Sequence, residues 1–298
     1  MKGVFLLSFL ASLLLAGCGS QDAREEGGPE PGLEVPDPSG AFPFQLVDAS
    51  GDTLYFSSPP RRIIPLVPSA SHVLLALGAG ARLAGRTDFD TVQSMRHLPS
   101  VGGGLSPNLE AILALDPDLV IRFAGETDPT TAQRLDRLGI PHLAIRPDGL
   151  QEIRKVIRQL GMVTGRRAAA DSLLAVMAAD LQALEEWVQE KPGIRTAYVL
   201  GGNPPWVAGP GSYLHELMEL AGGINVFSDL EGLYGPVNAE AFLSREIDLI
   251  LAPPGAELDL PHPAPPVRRV PSDLEIPGPD LARHAWALAR AMHPHRVP

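Results

Sequence analysis

Short apolar runs alternate with longer amphipathic stretches from Arg61 onward. The short runs have the length of buried strands, whereas the longer stretches repeat their apolar positions at helical spacing. This alternation is typical of parallel sheets built from strand, helix and strand units. It predicts strands at Arg62–Val67, Asp118–Phe123, His142–Ile145, Thr196–Leu200, Asp248–Ala252 and Val267–Val270.

Helices are predicted between these strands, most of them opened by Ser, Thr, Asn or Pro and several closed by Gly. The predicted helices are Ser71–Leu77, Asn108–Leu115, Thr130–Leu138, Ser212–Ala221, Asn238–Ser244 and Pro279–Met292. Ser71 has the short polar side chain of a helix N-cap, so we expect it to cap the first helix.

Residues 150–191 contain no strand pattern. From Arg166 on, an Ala-rich and well-charged stretch carries apolar residues at helical spacing, namely Leu173, Met177, Leu181, Leu184 and Val188. About 25 residues of helix would span roughly 37 Å, enough to run the length of two lobes. We expect this segment to connect two α/β units, and a long helix inside a single domain is the alternative.

The two halves of the chain also carry a repeated motif. Two sets of four residues have identical types and spacing. The first half contains Asn108, Glu110, Leu113 and Asp118, and the second half contains Asn238, Glu240, Leu243 and Asp248. The repeat predicts two similar lobes. The expected fold is therefore α/β, with two Rossmann-like lobes that contain parallel sheets and are joined by a long backbone helix. The lobes are predicted at residues 42–149 and 192–298, with 150–191 between them.

The amino terminus carries a different pattern. Met1 and Lys2 precede an apolar run that ends in Leu-Ala-Gly before Cys18, which is typical of an export signal and too short for a comfortable membrane span. Residues 19–41 are rich in Gly, Pro and charged residues, so we expect a flexible linker. Cys18 is the only cysteine, and if it is lipidated no thiol remains for a disulfide or a cysteine metal site.

The balance of acidic and basic residues limits the classes of partner that the chain is expected to bind. The chain has 24 basic and 35 acidic residues, a formal net charge of -11, and no basic cluster that would follow a phosphate backbone. Nucleic acid is therefore an unexpected partner. The sequence also lacks nucleotide-binding fingerprints, zinc-protease and serine-hydrolase motifs, and its histidines are scattered, so we predict no catalytic residue, no metal site and no resident cofactor.

Ligands of open α/β sheets bind outside the carboxyl ends of the strands. Aromatic residues make up only 5% of the chain, yet five of them follow predicted strands, namely Phe89, Phe123, Trp206, Tyr213 and Tyr234. They suit a broad, flat, apolar ligand, although each could also cap the end of a sheet. Asp88 and Asp273 lie in such loops and would orient a polar ligand group or form turns.

Glu110 and Glu240 occupy equivalent places in the repeat, two residues after an Asn that can cap a helix. A carboxylate in the first helical turn is favoured by the helix dipole, which alone explains one such residue. A matched pair on two lobes also suits docking onto a symmetric partner that presents basic residues.

Three stretches resemble the helical-backbone solute-binding proteins of ABC importers, and within them the corrinoid-binding members. These are Arg62–Ser71, the block Pro107–Ile121, and Gly201–Trp206 together with Ala221–Phe227. The placement of Cys18 after Leu-Ala-Gly likewise resembles a bacterial lipobox. The resemblance covers nearly all of residues 61–294. It implies a protein outside the cytoplasm, in the periplasm or at the cell surface, held on a membrane by the lipid on Cys18.

The resemblance also assigns roles to residues. It implies that Glu110 and Glu240 contact arginines of the two permease subunits, which work with their ATPase subunits. It implies that Phe123, Trp206 and Tyr234 contact the ligand, with Asp88 or Phe89 and Asp273 contributing. Where corrinoid binders can carry a tryptophan before the Asn-Leu-Glu block, this chain has Gly104, so one wall of the cleft is less aromatic.

The function that follows from the resemblance is capture of cobalamin or another corrinoid in the interlobe cleft and its delivery to the permease. A haem or ferric-siderophore binding protein on the same scaffold is the first alternative, since Arg86 and Arg122 lie near the predicted cleft loops. An enzyme that processes a tetrapyrrole or a metal cluster is the second. A further departure is the Pro-rich stretch 253–266, which stands where a helix of the second lobe is expected.

Overall fold

The computed structural model describes residues 42–125, 129–258, 260 and 262–294. The predicted signal peptide, Cys18 and the predicted linker lie outside the described residues. The described residues belong to one compact unit, Pro36–Pro298. Within them no helix is both long and apolar enough to cross a membrane.

The first half of the structure contains two small sheets. Strands β1 (Phe44–Val47) and β2 (Thr53–Phe56) form an antiparallel hairpin. Strands β3 (Ile63–Pro65), β4 (Leu119–Phe123) and β5 (His142–Ile145) form a parallel sheet in that order. Three helices accompany this sheet, α1 (Pro68–Ala76), α2 (Leu109–Ala114) and α3 (Pro129–Arg137), with short 3-10 turns at Gly80–Arg82 and Gln93–Met95.

Two helices fill the connecting segment. Helix α4 (Leu150–Val163) has 14 residues and α5 (Arg167–Val188) has 22, which corresponds to about 33 Å. They are separated at Gly165, whose φ of 64° lies in the left-handed region that favours glycine. Helix α4 packs against α1, and α5 packs against α4 and against helices of the second half. The long connecting helix is thus confirmed, with its start at Arg167.

The second half is built on a six-stranded sheet. Its strands are β6 (Ile194–Gly201), β7 (Trp206–Ala208), β8 (Gly223–Asn225), β9 (Tyr234–Pro236), β10 (Leu249–Ala252) and β11 (Val267–Arg269). Strands β11, β10 and β8 run parallel to their neighbours, whereas β6–β7 and β7–β9 pair antiparallel. Helices α6 (Tyr213–Leu220), α7 (Ala239–Leu243) and α8 (Leu281–Met292) accompany it, with a 3-10 turn at Ser272–Glu275.

Alternate residues of the parallel strands face two different cores. In β4, Leu119 and Ile121 point into a cluster shared with α1, α4 and α5, while Val120 points into a separate cluster beneath α2. In β10, Leu249 and Leu251 join the same shared cluster, and Ile250 joins a third cluster beneath α7. This period of two makes both faces of each sheet apolar, as expected for sheets covered by helices. The shared cluster therefore ties both sheets to the connecting helices.

The structure corrects several expectations. Ser71 is not the N-cap of α1, because the helix already begins at Pro68, whose ring fixes the backbone for a first helical position. A parallel sheet was expected in the second half, but the six-stranded sheet found there is mixed, because β7 pairs antiparallel with both β6 and β9. The hairpin β1–β2 and the short strands β7, β8 and β9 were not predicted, since three or four residues give too little periodicity. The departure expected at the Pro-rich stretch 253–266 agrees with the structure, since none of its described residues is helical.

Candidate functional site

A cavity of about 340 Å³ lies where the carboxyl ends of both sheets meet. The first half contributes residues after β3, β4 and β5, and the second contributes residues from β6, α6, β9 and the last 3-10 turn. Its wall consists of Val67, Pro68, Ser69, Phe123, Pro147, Asp148, Leu200, Tyr213, Leu214, Tyr234, Glu275, Ile276 and Pro277. Most of these side chains are apolar, so the cavity suits an apolar ligand surface with few polar contacts.

Larger hollows of about 700 and 960 Å³ lie elsewhere on the molecule. The first is lined by β2 and by residues before β4 and β5, and therefore lies at the amino ends of those strands. The second runs along α4, α5 and α6 and is lined by eight charged or amide side chains and four aliphatic ones. Ligand sites of α/β sheets lie at the carboxyl ends of strands, so we assign the site to the smaller cavity.

Backbone geometry explains which aromatic side chains reach the cavity. Phe123 is the last residue of β4 and stands half-buried on the same face as Ile121. Tyr234 opens β9 and is also half-buried, whereas Tyr213 opens α6 and is 5% exposed. Tyr213 donates a hydrogen bond from its hydroxyl to the carbonyl of Leu274, 3.2 Å away. Phe123 and Tyr234 are therefore open to a ligand, while Tyr213 mainly supports the wall.

Polar groups gather on one side of the cavity, around the half-buried carboxylate of Glu275. The buried Tyr198 donates its hydroxyl hydrogen to Glu275 Oε1 at 3.3 Å. Burial raises the pKa of Glu275, although the hydrogen bond from Tyr198 lowers it. Burial is also the main reason why the pKa values of Tyr198, Tyr213 and Tyr234 are raised, so these phenols stay neutral at neutral pH.

Two hydrogen bonds join the halves of the molecule beside the cavity. The backbone N–H of Tyr213 donates to the carbonyl of Asp148 at 2.6 Å. Glu216 of α6 accepts from the backbone N–H of Leu150 at 2.7 Å, so it caps the amino end of α4 from the other half. A carboxylate at a helix amino end is favoured by the helix dipole. These bonds fix the distance between the two walls of the cavity.

Of the seven predicted ligand residues, Phe123 and Tyr234 line the cavity. Phe89 and Gly104 lie near the part of the cavity wall that the first half of the chain contributes. The Phe89 ring lies next to Gly103, since a Cβ on Gly103 would be 3.8 Å from it. A Cβ on Gly104 would meet the carbonyl oxygen of Leu66 at 2.2 Å, so only glycine fits there. Leu66 directly precedes the wall residue Val67. The Phe89 side chain is 65% exposed.

Trp206 lies beside the opposite wall. It pairs with Gly201 across β6 and β7, one residue from the wall residue Leu200. Its side chain is 48% exposed, which leaves the indole face accessible to solvent. The turn before it contains a cis peptide bond at Asn203–Pro204. Trp206 and Phe89 are thus exposed aromatic groups outside the cavity wall.

The two predicted aspartates already have partners. Asp88 is exposed and accepts a hydrogen bond from the hydroxyl of Ser100 at 2.5 Å. Asp273 accepts from Arg283 at 2.6 Å. Although burial pushes the pKa of Asp273 up, its contacts with Arg283 and His284 bring that pKa below the ordinary value. Neither aspartate lines the cavity, so a role for them in ligand contact stays a prediction.

The cationic pocket considered as an alternative is not formed by Arg122. This residue is 7% exposed, and its guanidinium donates to His142 Nδ1 at 3.1 Å and to the Ser50 hydroxyl at 3.1 Å. It therefore holds the β1–β2 hairpin against the sheet. Arg86 donates to the carbonyl of Thr87 at 2.9 Å and does not line the cavity. The described residues contain no cluster of three or more His, Cys, Asp or Glu that could hold a metal ion.

The repeated motif forms the same local structure twice. Asn108 accepts hydrogen bonds from the backbone of Glu110 and Ala111 at 3.0 and 3.1 Å, and Asn238 accepts from Ala241 at 2.8 Å. Both asparagines are therefore N-caps, as predicted. Glu110 and Glu240 stand exposed in the first turns of α2 and α7.

The repeat also extends to Asp118 and Asp248, which precede β4 and β10. Asp118 accepts from the backbone N–H groups of Arg61 and Arg62 at 2.6 and 2.8 Å. Asp248 accepts from the backbone N–H of Arg195 at 3.0 Å and from its guanidinium at 2.7 and 3.0 Å. Each aspartate therefore joins the start of its own strand to the start of the neighbouring strand.

Sequence reasoning missed Glu275, Tyr198 and Ser69. Tyr198 lies in the middle of a strand, a position typical of the core. Ser69 lies between the predicted strand Arg62–Val67 and the predicted helix Ser71–Leu77, where neither pattern singles it out. The signal available for Glu275 was its place after β11, at the carboxyl end of a parallel strand.

The family model described as periplasmic binding protein matches residues 63–257. An uncharacterized ABC transporter substrate-binding lipoprotein of Bacillus subtilis is 24% identical over 262 residues, covering 86% of this chain and 81% of that relative. A cobalamin-binding protein of Halobacterium salinarum is 30% identical over 220 residues, covering 71% of this chain and 58% of that relative.

Two solved structures have the same fold. The periplasmic vitamin B12 binding protein of Vibrio cholerae superposes with a TM-score of 0.68 at 24% identity, covering 78% of this chain and 97% of that chain. A periplasmic haem binding protein from Pseudomonas aeruginosa superposes with a TM-score of 0.71 at 22% identity, covering 80% of this chain and 95% of that chain. At these identities the likeness establishes the fold alone.

Proposed function

We propose that this chain, which belongs to the periplasmic binding protein family, captures a corrinoid such as cobalamin between its lobes and delivers it to the permease of an ABC importer. The family consists of substrate-binding transport proteins that act outside the cytoplasm. Lipidation of Cys18, which would hold the protein on a membrane, is part of the proposal.

The main support for the proposal is the cavity at the carboxyl ends of both sheets. Its wall combines Phe123 and Tyr234 with aliphatic side chains and contains few charges. Its volume of about 340 Å³ lies at the lower end of the range for small-molecule sites. A corrinoid would therefore extend beyond the cavity toward the exposed rings of Phe89 and Trp206. Rigid aromatic faces on both sides suit a broad macrocycle.

The comparisons support the class of ligand and leave the individual ligand to experiment. A relative named as a cobalamin-binding protein is 30% identical to this chain. A vitamin B12 binding protein and a haem binding protein both share its fold, so the fold is common to binders of either ligand. The name of the cobalamin-binding relative agrees with the aromatic, largely apolar cavity and with the lack of a cationic pocket at Arg122.

Haem is the second candidate, since Tyr234 places a phenol at the cavity and a tyrosine oxygen can hold haem iron. Burial raises the pKa of Tyr234, which disfavours the phenolate that would bind iron. The acidic side chain Glu275 in the wall would also repel the propionates of haem. We therefore place the corrinoid first.

Calorimetric titration of the purified protein, produced without the signal peptide and with Cys18 removed, tests the proposal. We expect cyanocobalamin to bind with one-to-one stoichiometry and more tightly than hemin or a ferric siderophore. Binding of hemin or a ferric siderophore in preference to cyanocobalamin would contradict the proposed ligand.

A further inference from the structure

Glu275 is a carboxylate without a cationic partner in a mostly apolar cavity. It lies half-buried in the 3-10 turn Ser272–Glu275, and its hydrogen bond comes from the neutral hydroxyl of Tyr198. Within the part of the chain that the structure describes, Glu275 forms no ion pair. The other acidic residue of the wall, Asp148, is paired with Arg146 at 2.5 Å. Glu275 is therefore the acidic group of the wall whose charge is not offset nearby.

The opposite wall carries a buried polar group that lacks a hydrogen-bond partner among the described residues. Ser69 is 2% exposed, and its hydroxyl has no hydrogen-bond partner among the described residues. Ser69 lines the same cavity as Glu275. A buried polar group without a partner costs about 1 to 3 kcal/mol, a cost that a ligand would remove by bonding to it.

The amino end of α1 also faces the cavity through Val67, Pro68 and Ser69. A helix amino end carries about half a positive charge, less than the full negative charge of one ionised carboxylate. Pro68 has no N–H and so removes one of the donors that would hold an anion. The balance at the cavity is therefore negative, which favours ligand groups that donate hydrogen bonds.

We propose that Glu275, assisted by Ser69, determines ligand specificity by accepting a hydrogen bond from an N–H group of the ligand and by rejecting chelates that carry carboxylates. The inference rests on the proposed function and deepens it. Cobalamin carries amide groups around its ring, whereas haem carries two propionates. A neutral, amide-bearing macrocycle therefore satisfies Glu275, and an anionic one meets a like charge in a partly dry site.

The test compares wild type with Glu275→Gln, Glu275→Asp and Ser69→Ala, each titrated with cyanocobalamin and with hemin at neutral pH. Glu275→Gln removes the charge, so we expect the ratio of hemin affinity to cyanocobalamin affinity to rise about tenfold. Glu275→Asp keeps the charge and is expected to hold hemin affinity low. Ser69→Ala is expected to weaken cyanocobalamin about threefold without strengthening hemin.

Glu190→Gln is the matched control, because Glu190 is exposed beyond the end of α5 and does not line the cavity. Thermal unfolding of each variant separates loss of folding from loss of binding. An unchanged affinity ratio in a folded Glu275→Gln variant, with wild type binding cyanocobalamin, overturns this inference alone. A wild-type protein that binds hemin in preference to cyanocobalamin overturns both this inference and the proposed function.

Discussion

At the scale of single residues, the exposed rings determine how far a ligand contact extends beyond the cavity. Trp206 is 48% exposed and pairs with Gly201, the residue after the wall residue Leu200, so its indole is free to cover a macrocycle. Aromatic anchors of this kind commonly supply a large part of the binding free energy. Phe89 occupies a comparable exposed place near the other wall.

We predict that Trp206→Ala weakens cyanocobalamin binding by about 1 to 3 kcal/mol, because the macrocycle loses an aromatic contact that excludes water. Isothermal calorimetry of both proteins measures the change. Tyr55→Ala is the control, since Tyr55 is also an exposed aromatic residue, at 64%, but lies on β2, beside the hollow at the amino ends of the strands. An affinity unchanged by Trp206→Ala would remove this residue from the site.

Asp248 contributes to stability in a pH-dependent way. Hydrogen bonds from Arg195 lower its pKa below the ordinary value of 3.8. A lowered pKa in the folded state means that stability is present above the unfolded value and is lost as the pH falls through the folded value. Because the pair is exposed, solvent screening is expected to keep its contribution to stability small.

We predict that Asp248→Asn lowers the free energy of unfolding by a constant amount from neutral pH down to about pH 5, and that the difference shrinks below about pH 4. Urea unfolding at a series of pH values measures it. Asp180→Asn, a change at an exposed carboxylate on α5, is the control and should show no such dependence. A difference that grows on acidification would contradict the assignment.

At the scale of elements, the sequence predicted the parts with strong periodicity and missed the short ones. The strand His142–Ile145 was predicted to the residue, and the helices after Asn108, Ser212 and Asn238 begin directly after those caps. Those asparagine and serine side chains determine helix starts locally. Strands β7 and β9 contain three residues each, and their pairing depends on contacts distant in the chain.

The candidate site was harder to predict for the same reason. Phe123 was found because it ends a strand that the pattern predicts, and Tyr234 was found as an aromatic residue at a turn, although the strand β9 that it opens was not predicted. Glu275 and Ser69 were missed because they line the same cavity only when the two halves of the molecule approach each other, and the two residues are about 200 positions apart in the chain. Arg122 was placed near the cleft, but its contacts with Ser50 and His142 involve a hairpin that the sequence pattern did not show.

Helices α2 and α7 present the paired carboxylates Glu110 and Glu240. We predict that Glu110→Gln combined with Glu240→Gln leaves cyanocobalamin affinity unchanged and weakens association with the permease about tenfold or more, because rim charges mainly set orientation and association rate. Pull-down and surface plasmon resonance with the purified permease complex measure this effect.

The matched control for the docking pair is Glu185→Gln with Glu190→Gln, at exposed positions at and beyond the carboxyl end of α5. It removes the same charge from a surface that the repeat does not single out. Equal loss of permease binding in both double variants would indicate a general charge effect and contradict docking at α2 and α7.

At the scale of the whole molecule, two sheets share one apolar cluster with the connecting helices. The bonds of Tyr213 to Asp148 and of Glu216 to Leu150 add a direct link between the halves at the cavity. A helix bends less easily than a loop hinge, so we expect only slight closure around a ligand. The cavity therefore exists largely before the ligand arrives, and its chemistry selects the ligand.

A crystal structure of the protein with cyanocobalamin bound would test the central claim most directly. We predict that the macrocycle lies at the carboxyl ends of both sheets, in contact with Phe123 and Tyr234, and reaches Trp206 at the edge. A macrocycle bound instead in the hollow beside Tyr55, or contacting only one of the two halves, would contradict the account.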